Sequence, residues 1–143
     1  MDSIKINIKG YENLLAKLKA YPVKKAKAID QVLERGSIRI ANTAKRYLVS
    51  QTERSKNLQN QIFQDKTKEG WQIYVRADYA PYVEFGTGDK VKIPAGKGPY
   101  ASQFRGRGIR KVNLRARPFM FPSYRRHEKE IRKAAFKVLK VSI

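Results

Sequence analysis

The segment PVKKAKAIDQVLERGSIRIANTAKRYL (residues 22–48) decides the fold, because it carries the longest helical periodicity in the chain. Apolar or small residues recur in it every three or four positions, which is the spacing of one face of an α-helix. Pro22 suits a first turn, where a missing N–H is harmless. The segment therefore predicts one long amphipathic helix, whose inner face consists of Ile29, Val32, Leu33, Gly36, Ile40, Ala44, Tyr47 and Leu48.

Gly36 is the residue in this segment that suits a helix least. Inside a helix, glycine costs about 1 kcal/mol relative to alanine. A close packing contact at Gly36 would explain why a glycine is tolerated there.

The chain before this helix starts with a strand pattern. Ile4, Ile6 and Ile8 alternate with polar residues, as in a strand with one buried face, and Gly10 ends the pattern. Residues 11–18 then show helical spacing, which predicts a short amphipathic helix.

Beyond the long helix, two apolar segments flank a turn sequence and predict a β-hairpin. The first segment ends at Ile62 and Phe63, the turn covers residues 66–70, and the second segment alternates over residues 71–75. Together with the helices, the hairpin predicts an α+β fold, in which a small antiparallel sheet is packed by the long helix and a C-terminal helix.

The C-terminal helix is expected after Pro122, with Ser123 as its N-cap. The only histidine, His127, lies beside the apolar face of this helix, and we interpret it as a partly packed helical side chain. The inner face is predicted to contain Tyr124, Ile131, Ala134, Ala135 and Val138.

The size and composition indicate one ordinary domain, residues 1–143, with a core of its own. The chain has no cysteine, so it has no disulfide and no thiolate, and a reducing cytoplasm is the expected place for it to fold. Its apolar runs are shorter than the ~20 residues that cross a bilayer, and its first residues do not resemble a signal peptide. No membrane contact is expected.

Positive charge dominates the chain, with 32 basic and 12 acidic residues and a formal net charge of +20. The excess is concentrated after residue 85, where 16 basic residues accompany 3 acidic ones. Such a field attracts polyanions, either nucleic acid or an acidic protein surface.

Between residues 86 and 117 the periodicity fades, and six of the nine glycines occur there. A connection this long is expected to be functional, mobile or both. We therefore predict a long basic, Gly-rich interaction loop within the single domain. Its basic residues are Lys90, Lys92, Lys97, Arg105, Arg107, Arg110, Lys111, Arg115 and Arg117.

The sequence offers little for catalysis. His127 has no nucleophile to partner it, the acids are scattered, and the glycine-rich segment has no phosphate-binding motif. No catalytic residue, cofactor site or metal site is expected, and the enzyme interpretation is weak.

One composite pattern is more specific than the rest. The sequence ADYAPYVEFGT at residues 77–87 is followed by the loop and then by RPFMFPS at residues 117–123. This pair resembles the tail-component family of tailed bacteriophages, whose members complete the tail or join it to the head. The order of predicted elements is also similar, so the resemblance covers nearly the whole chain. The motif residues are Tyr79, Tyr82, Glu84, Phe85, Gly86, Pro118 and Phe119.

The resemblance implies a structural virion protein that forms a ring at the head–tail junction, with six copies to match tail symmetry. Its expected partners are further copies of itself and the neighbouring connector and tail proteins, with only weak contact to DNA. Its expected location is the virion and, during assembly, the cytoplasm of the bacterial host.

The motif residues also have a plain structural interpretation, in which they hold the two ends of the loop on the fold. The large apolar groups near Phe85 and Phe119 would then cover one part of the core from two sides. Gly86 would let the backbone turn into the loop. Arg117 is the expected ion-pair partner of Glu84.

Two other functions fit parts of the sequence. A nucleic-acid-binding protein without sequence preference would explain the charge, and Tyr100 and Phe104 in the basic loop would stack on bases. A small nuclease would need His127 as its catalytic group. The basic loop itself has two possible partners, DNA phosphates or an acidic protein surface, and protein docking is slightly favoured because a strongly basic channel would retain DNA.

Overall fold

The computed structural model describes residues 4–7, 23–49, 55–87, 96, 98 and 114–139. The predicted short helix at 11–18 and the strand position Ile8 lie outside these residues. The elements within them are β1 (Lys5–Asn7), α1 (Val23–Val49), α2 (Ser55–Asn60), β2 (Ile62–Thr67), β3 (Gly70–Val75), α3 (Ala80–Phe85) and α4 (Met120–Leu139). The predicted α+β class is confirmed.

The three strands form one antiparallel sheet in the order β1-β3-β2. The predicted hairpin is confirmed, but its turn is shorter than residues 66–70, because the ladder continues to the pair Thr67 and Gly70. The Thr67 hydroxyl accepts from the Glu69 N–H at 3.3 Å and donates to the Gly70 carbonyl at 3.1 Å. Gly70 has a φ of 140°, a conformation that side chains disfavour.

The predicted inner face of α1 is confirmed, and it packs against one face of the sheet. The Asp30 carboxylate fastens the helix to the hairpin through both oxygens. The Trp71 indole N–H donates to Oδ1 at 3.1 Å, and the Lys66 ammonium donates to Oδ2 at 2.6 Å. The pKa of Asp30 is lowered, chiefly by this hydrogen bond from Lys66.

The other face of the sheet carries a polar and aromatic cluster. Tyr74 donates its hydroxyl to Asp65 Oδ2 at 2.5 Å. The Arg76 guanidinium lies 4.6 Å from the centre of the Phe63 ring and also donates to the Tyr74 hydroxyl at 3.1 Å. These contacts explain why Tyr74 is buried although it lies on the sheet face opposite α1.

Helices α1 and α4 pack antiparallel, and the glycine of α1 permits their close approach. A Cβ atom at Gly36 would lie 2.7 Å from both Cδ1 and Cγ1 of Ile131, closer than carbon atoms can approach. Two turns further along α1, Thr43 faces His127 of α4. The contact expected from the unfavourable glycine therefore exists, and it lies at the crossing of the two longest helices.

Two short helices were not predicted. Residues 55–60 form α2, and the motif residues 80–85 form α3. Each contains 6 residues, too few to show a helical period.

We predict that Gly36→Ala destabilises the protein by about 1 kcal/mol, because the overlap with Ile131 outweighs the gain in helix propensity. Urea unfolding, followed by the fluorescence of the single tryptophan Trp71, measures the change.

The matched control is the same substitution in an Ile131→Ala background, where the space is vacant. There Gly36→Ala should be neutral or stabilising. A loss of stability that is equal in both backgrounds would contradict the packing explanation.

Candidate functional site at the base of the basic loop

The two halves of the sequence motif meet at the carboxylate of Glu84. This side chain is 1% exposed and projects from α3 toward the start of α4. Its Oε2 accepts hydrogen bonds from the N–H groups of Phe119 at 2.7 Å and Met120 at 2.9 Å, and its Oε1 accepts from Phe121 at 3.1 Å. Glu84 is therefore the N-terminal cap of α4, supplied from 35 residues earlier in the chain.

Every free N–H group at the start of α4 has a hydrogen-bond acceptor. An α-helix begins with four N–H groups that have no partner within the helix. In α4 these belong to Phe119, Met120, Phe121 and the residue at position 122, which is proline and has no N–H. One carboxylate therefore satisfies every free donor, and its negative charge also suits the positive end of the helix dipole.

Burial raises the pKa of the Glu84 carboxyl, while the three backbone donors act in the opposite direction. The cap thus combines a desolvation cost with three hydrogen bonds to a charged acceptor. Losing the acceptor would leave several buried N–H groups without partners, which is more costly than losing the bonds alone.

Two expectations about this region are wrong. Arg117 is not the ion-pair partner of Glu84, because backbone N–H groups occupy the carboxylate and the Arg117 side chain is exposed. Ser123 is not the cap, since it lies within the helix and donates its hydroxyl to the Phe119 carbonyl. Charge pairing suggested Arg117 and the local capping rule suggested Ser123. The capping group is instead Glu84, a distant acid that the fold brings to the helix end.

The ends of the basic loop are also fastened to each other. The Thr87 N–H donates to the Leu114 carbonyl at 3.0 Å, and the Leu114 N–H donates to the Thr87 hydroxyl at 2.9 Å. Three residues later, the Arg117 N–H donates to the Val83 carbonyl at 2.7 Å. The described residues on either side of segment 88–113 therefore lie next to each other. Thr87 ends the first sequence motif, but the motif alone assigned it no role.

Aromatic side chains surround this closure on both its buried and its exposed side. Phe85 and Phe119 are fully buried, and the Phe85 ring lies 5.7 Å from that of Phe121, so the expected shared core is confirmed. Tyr79 and Tyr82 are 46% and 43% exposed. Three of the seven motif residues, Tyr79, Tyr82 and Pro118, thus lie at the surface.

The backbone leaves α3 through Gly86, as expected. Gly86 has a φ of 81°, which favours glycine, and its N–H donates to the Tyr82 carbonyl at 3.0 Å. Pro118, next to the buried Phe119, is exposed. Of the nine predicted basic residues of the loop, Arg115 and Arg117 are described and both are exposed. The other seven lie outside the described residues.

His127 has a structural setting that agrees with its interpretation as a packed side chain. Its Nε2 lies 2.8 Å from the Thr43 hydroxyl, across the contact between α1 and α4. Its Nδ1 lies 4.0 Å from Glu130. Burial lowers the pKa of His127, Glu130 opposes this, and the nearby Arg126, Arg39 and Arg46 lower it further.

Within the part of the chain that the structure describes, no group of three or more His, Asp or Glu side chains is arranged to hold a metal ion. In the same residues, none of the helices is both long enough and apolar enough to cross a membrane.

We predict that Glu84→Ala lowers the free energy of unfolding by about 3 kcal/mol, because it leaves buried N–H groups unpaired. Glu84→Gln should lower it by about 1–2 kcal/mol, since an amide has a single acceptor oxygen. Urea unfolding measures both values. The control is Glu34→Gln at an exposed position of α1, which should change stability by less than about 0.5 kcal/mol. Equal effects for Glu84→Ala and Glu34→Gln would disprove the capping role.

We also predict that the protein loses stability relative to His127→Gln as the pH falls below 6.5, the ordinary pKa of histidine. The folded state holds the pKa of His127 below that value, so protonation favours the unfolded state. The stabilisation that neutral His127 contributes is therefore present above pH 6.5 and lost below it. Thermal unfolding of both proteins between about pH 5 and 8 tests this. A wild-type advantage that grows on acidification would reverse the sign and contradict the prediction.

No family model, curated protein or solved structure matches the chain. Its function therefore has to be inferred from its own residues and their arrangement.

Proposed function

We propose that this chain is a structural subunit of a tailed-bacteriophage particle, which completes the tail or joins it to the head as one copy in a ring. The observation that carries the proposal is the cap at Glu84. The two sequence segments that resemble the phage tail-component family are one physical unit, since the first segment supplies the acceptor on which the helix of the second begins.

This unit suits an assembly subunit because it holds both ends of the basic loop on a fixed base. Around the closure lie the exposed side chains of Tyr79, Tyr82, Leu114, Arg115 and Arg117. Tyrosine and arginine are enriched at protein interfaces and among the residues that contribute most to binding. A closed ring needs two different surfaces on each copy, and the loop with its base supplies one of them.

In this proposal the basic loop docks onto an acidic surface of a neighbouring connector or tail protein. Six copies match the symmetry of a tail, and the assembled ring leaves a channel for the genome. The chain folds in the host cytoplasm and ends in the virion.

The alternative is a nucleic-acid-binding protein without sequence preference, which the net charge of +20 favours. The salt dependence of DNA binding distinguishes the two functions. A free-standing nucleic-acid-binding protein binds nucleic acid as its main activity, and its affinity falls steeply as the salt concentration rises. A connector retains DNA only weakly.

The test uses a phage whose genome carries this gene and a mutant of that phage from which the gene is deleted. Negative-stain electron microscopy should show filled heads and separate tails, and the intact gene supplied in trans should restore joined particles. Fully joined, infectious particles without the protein would refute the proposed function.

We predict that the loop variant Lys90→Glu, Lys92→Glu, Lys97→Glu fails to restore joining, because like charges then face the acidic partner. The matched variant Lys90→Arg, Lys92→Arg, Lys97→Arg keeps the charge and should restore it. Normal joining by the reversed variant, with a defect in DNA retention or ejection instead, would mean that the loop faces DNA.

A further inference from the structure

Exposed cations lie on the outward sides of the two longest helices, outside the loop and its base. On α4, Arg126, Lys129, Lys133 and Lys137 are all exposed, and their spacing of three and four residues places them along one side of the helix. On α1, Arg39 and Arg46 are exposed and lie seven residues apart, again on one side. We call these six residues the basic seam.

Three contacts show how the two helices run past each other. Gly36 meets Ile131, Arg39 meets Glu130 and Thr43 meets His127, so the numbers rise along α1 as they fall along α4. The electrostatic surroundings of His127 give independent support. Arg126, Arg39 and Arg46 all act on this one imidazole, so guanidinium groups from both helices converge at His127, where the α4 row begins.

The charge of the seam is only partly compensated. Glu130 is the acid that these contacts place within it, 3.4 Å from Arg39, and the two side chains are 68% and 63% exposed. An ion pair this exposed contributes little and readily exchanges partners. The other acid in this part of α4, Glu128, pairs within its own helix with Arg132 at 2.8 Å. Six cations with one weakly held acid leave a strongly positive surface.

The dimensions suit a polymer of phosphates. From Arg126 to Lys137 the α4 row rises by ~16 Å at 1.5 Å per residue. A row of this length lies along several successive phosphates of one strand of duplex DNA. A single small anion would use only the arginines near His127, whereas a nucleic-acid backbone would use the whole length.

We propose that the basic seam binds the phosphate backbone of nucleic acid, with Arg39, Arg46 and Arg126 at the centre of the contact. An acidic protein fits less well, because protein interfaces have an apolar centre and the exposed large apolar side chains of the described residues lie outside the seam. Long, exposed cations reach phosphates but do not read bases, so binding is independent of sequence. The inference goes beyond the head–tail role and stands even if that role is wrong.

The experiment measures binding of a fluorescent DNA duplex of mixed sequence by anisotropy, at several salt concentrations between about 50 and 200 mM. Three variants of equal net charge are compared with the intact chain. The seam variant is Arg39→Gln, Arg46→Gln, Arg126→Gln. The scaffold control is Lys5→Gln, Lys27→Gln, Lys68→Gln at exposed positions elsewhere. The loop control is Lys90→Gln, Lys92→Gln, Lys97→Gln.

For the seam variant, the slope of log affinity against log salt should become shallower by about 3, one unit for each lost phosphate contact. Both controls should keep the slope of the intact chain. A conservative variant, Arg39→Lys, Arg46→Lys, Arg126→Lys, should also keep it, and circular dichroism establishes that each variant is folded.

His127 gives a second measurement at the site itself, since it is the only histidine and its NMR signal is unambiguous. Saturating duplex should raise the pKa of His127 in the intact chain, because phosphates oppose the three arginines beside it. The loop control should show the same rise, and the seam variant should not.

Several outcomes would overturn the inference. Equal changes in slope for all three Gln variants would mean that only net charge matters. A change confined to the loop control would assign the contact to the loop. Displacement of the duplex by poly-glutamate at equal charge concentration, with the same effect on the His127 signal, would identify an acidic protein surface as the partner.

Discussion

The carboxylate of Glu84 is the interaction on which the rest of this structure depends. The segment that begins α4 has no serine, threonine, aspartate or asparagine at its cap position, so the helix cannot satisfy its first N–H groups locally. These groups are buried, and water cannot replace the missing acceptor. Helix α4 therefore starts where α3 supplies an acid. This dependence ties two segments together across the whole length of the basic loop.

The position of α4 then determines the other features. Once its start is held by α3, its apolar side lies along α1, and the crossing at Gly36 and Ile131 sets how closely the helices approach. The same packing brings His127 to Thr43 and aligns cations from both helices. The loop base and the basic seam are thus two surfaces of one rigid element, one at its start and one along its side.

The sequence predicted the elements whose side chains repeat with a period. The inner face of α1, the hairpin and the inner face of α4 followed from spacing alone, because burial on one side of a regular element leaves a pattern. Helices α2 and α3 are too short for such a pattern. At the site, the motif identified Glu84 and Phe119, but their relation is a contact between a side chain and a backbone 35 residues away, and composition suggested Arg117 instead. Ser123 satisfied the local rule for a cap while the actual cap came from elsewhere in the fold. Nothing in the sequence indicated that the arginines of α1 and α4 would converge, since their juxtaposition follows from the angle at which two helices pack.

The hydrogen bonds between Thr87 and Leu114 hold the two ends of the enclosed segment at one place on the scaffold. For such a segment, each doubling of length adds only about 0.6 kcal/mol of closure entropy. Its size and composition can therefore change over evolutionary time while the scaffold keeps its stability. The same scaffold can thus acquire a loop that suits a different neighbour.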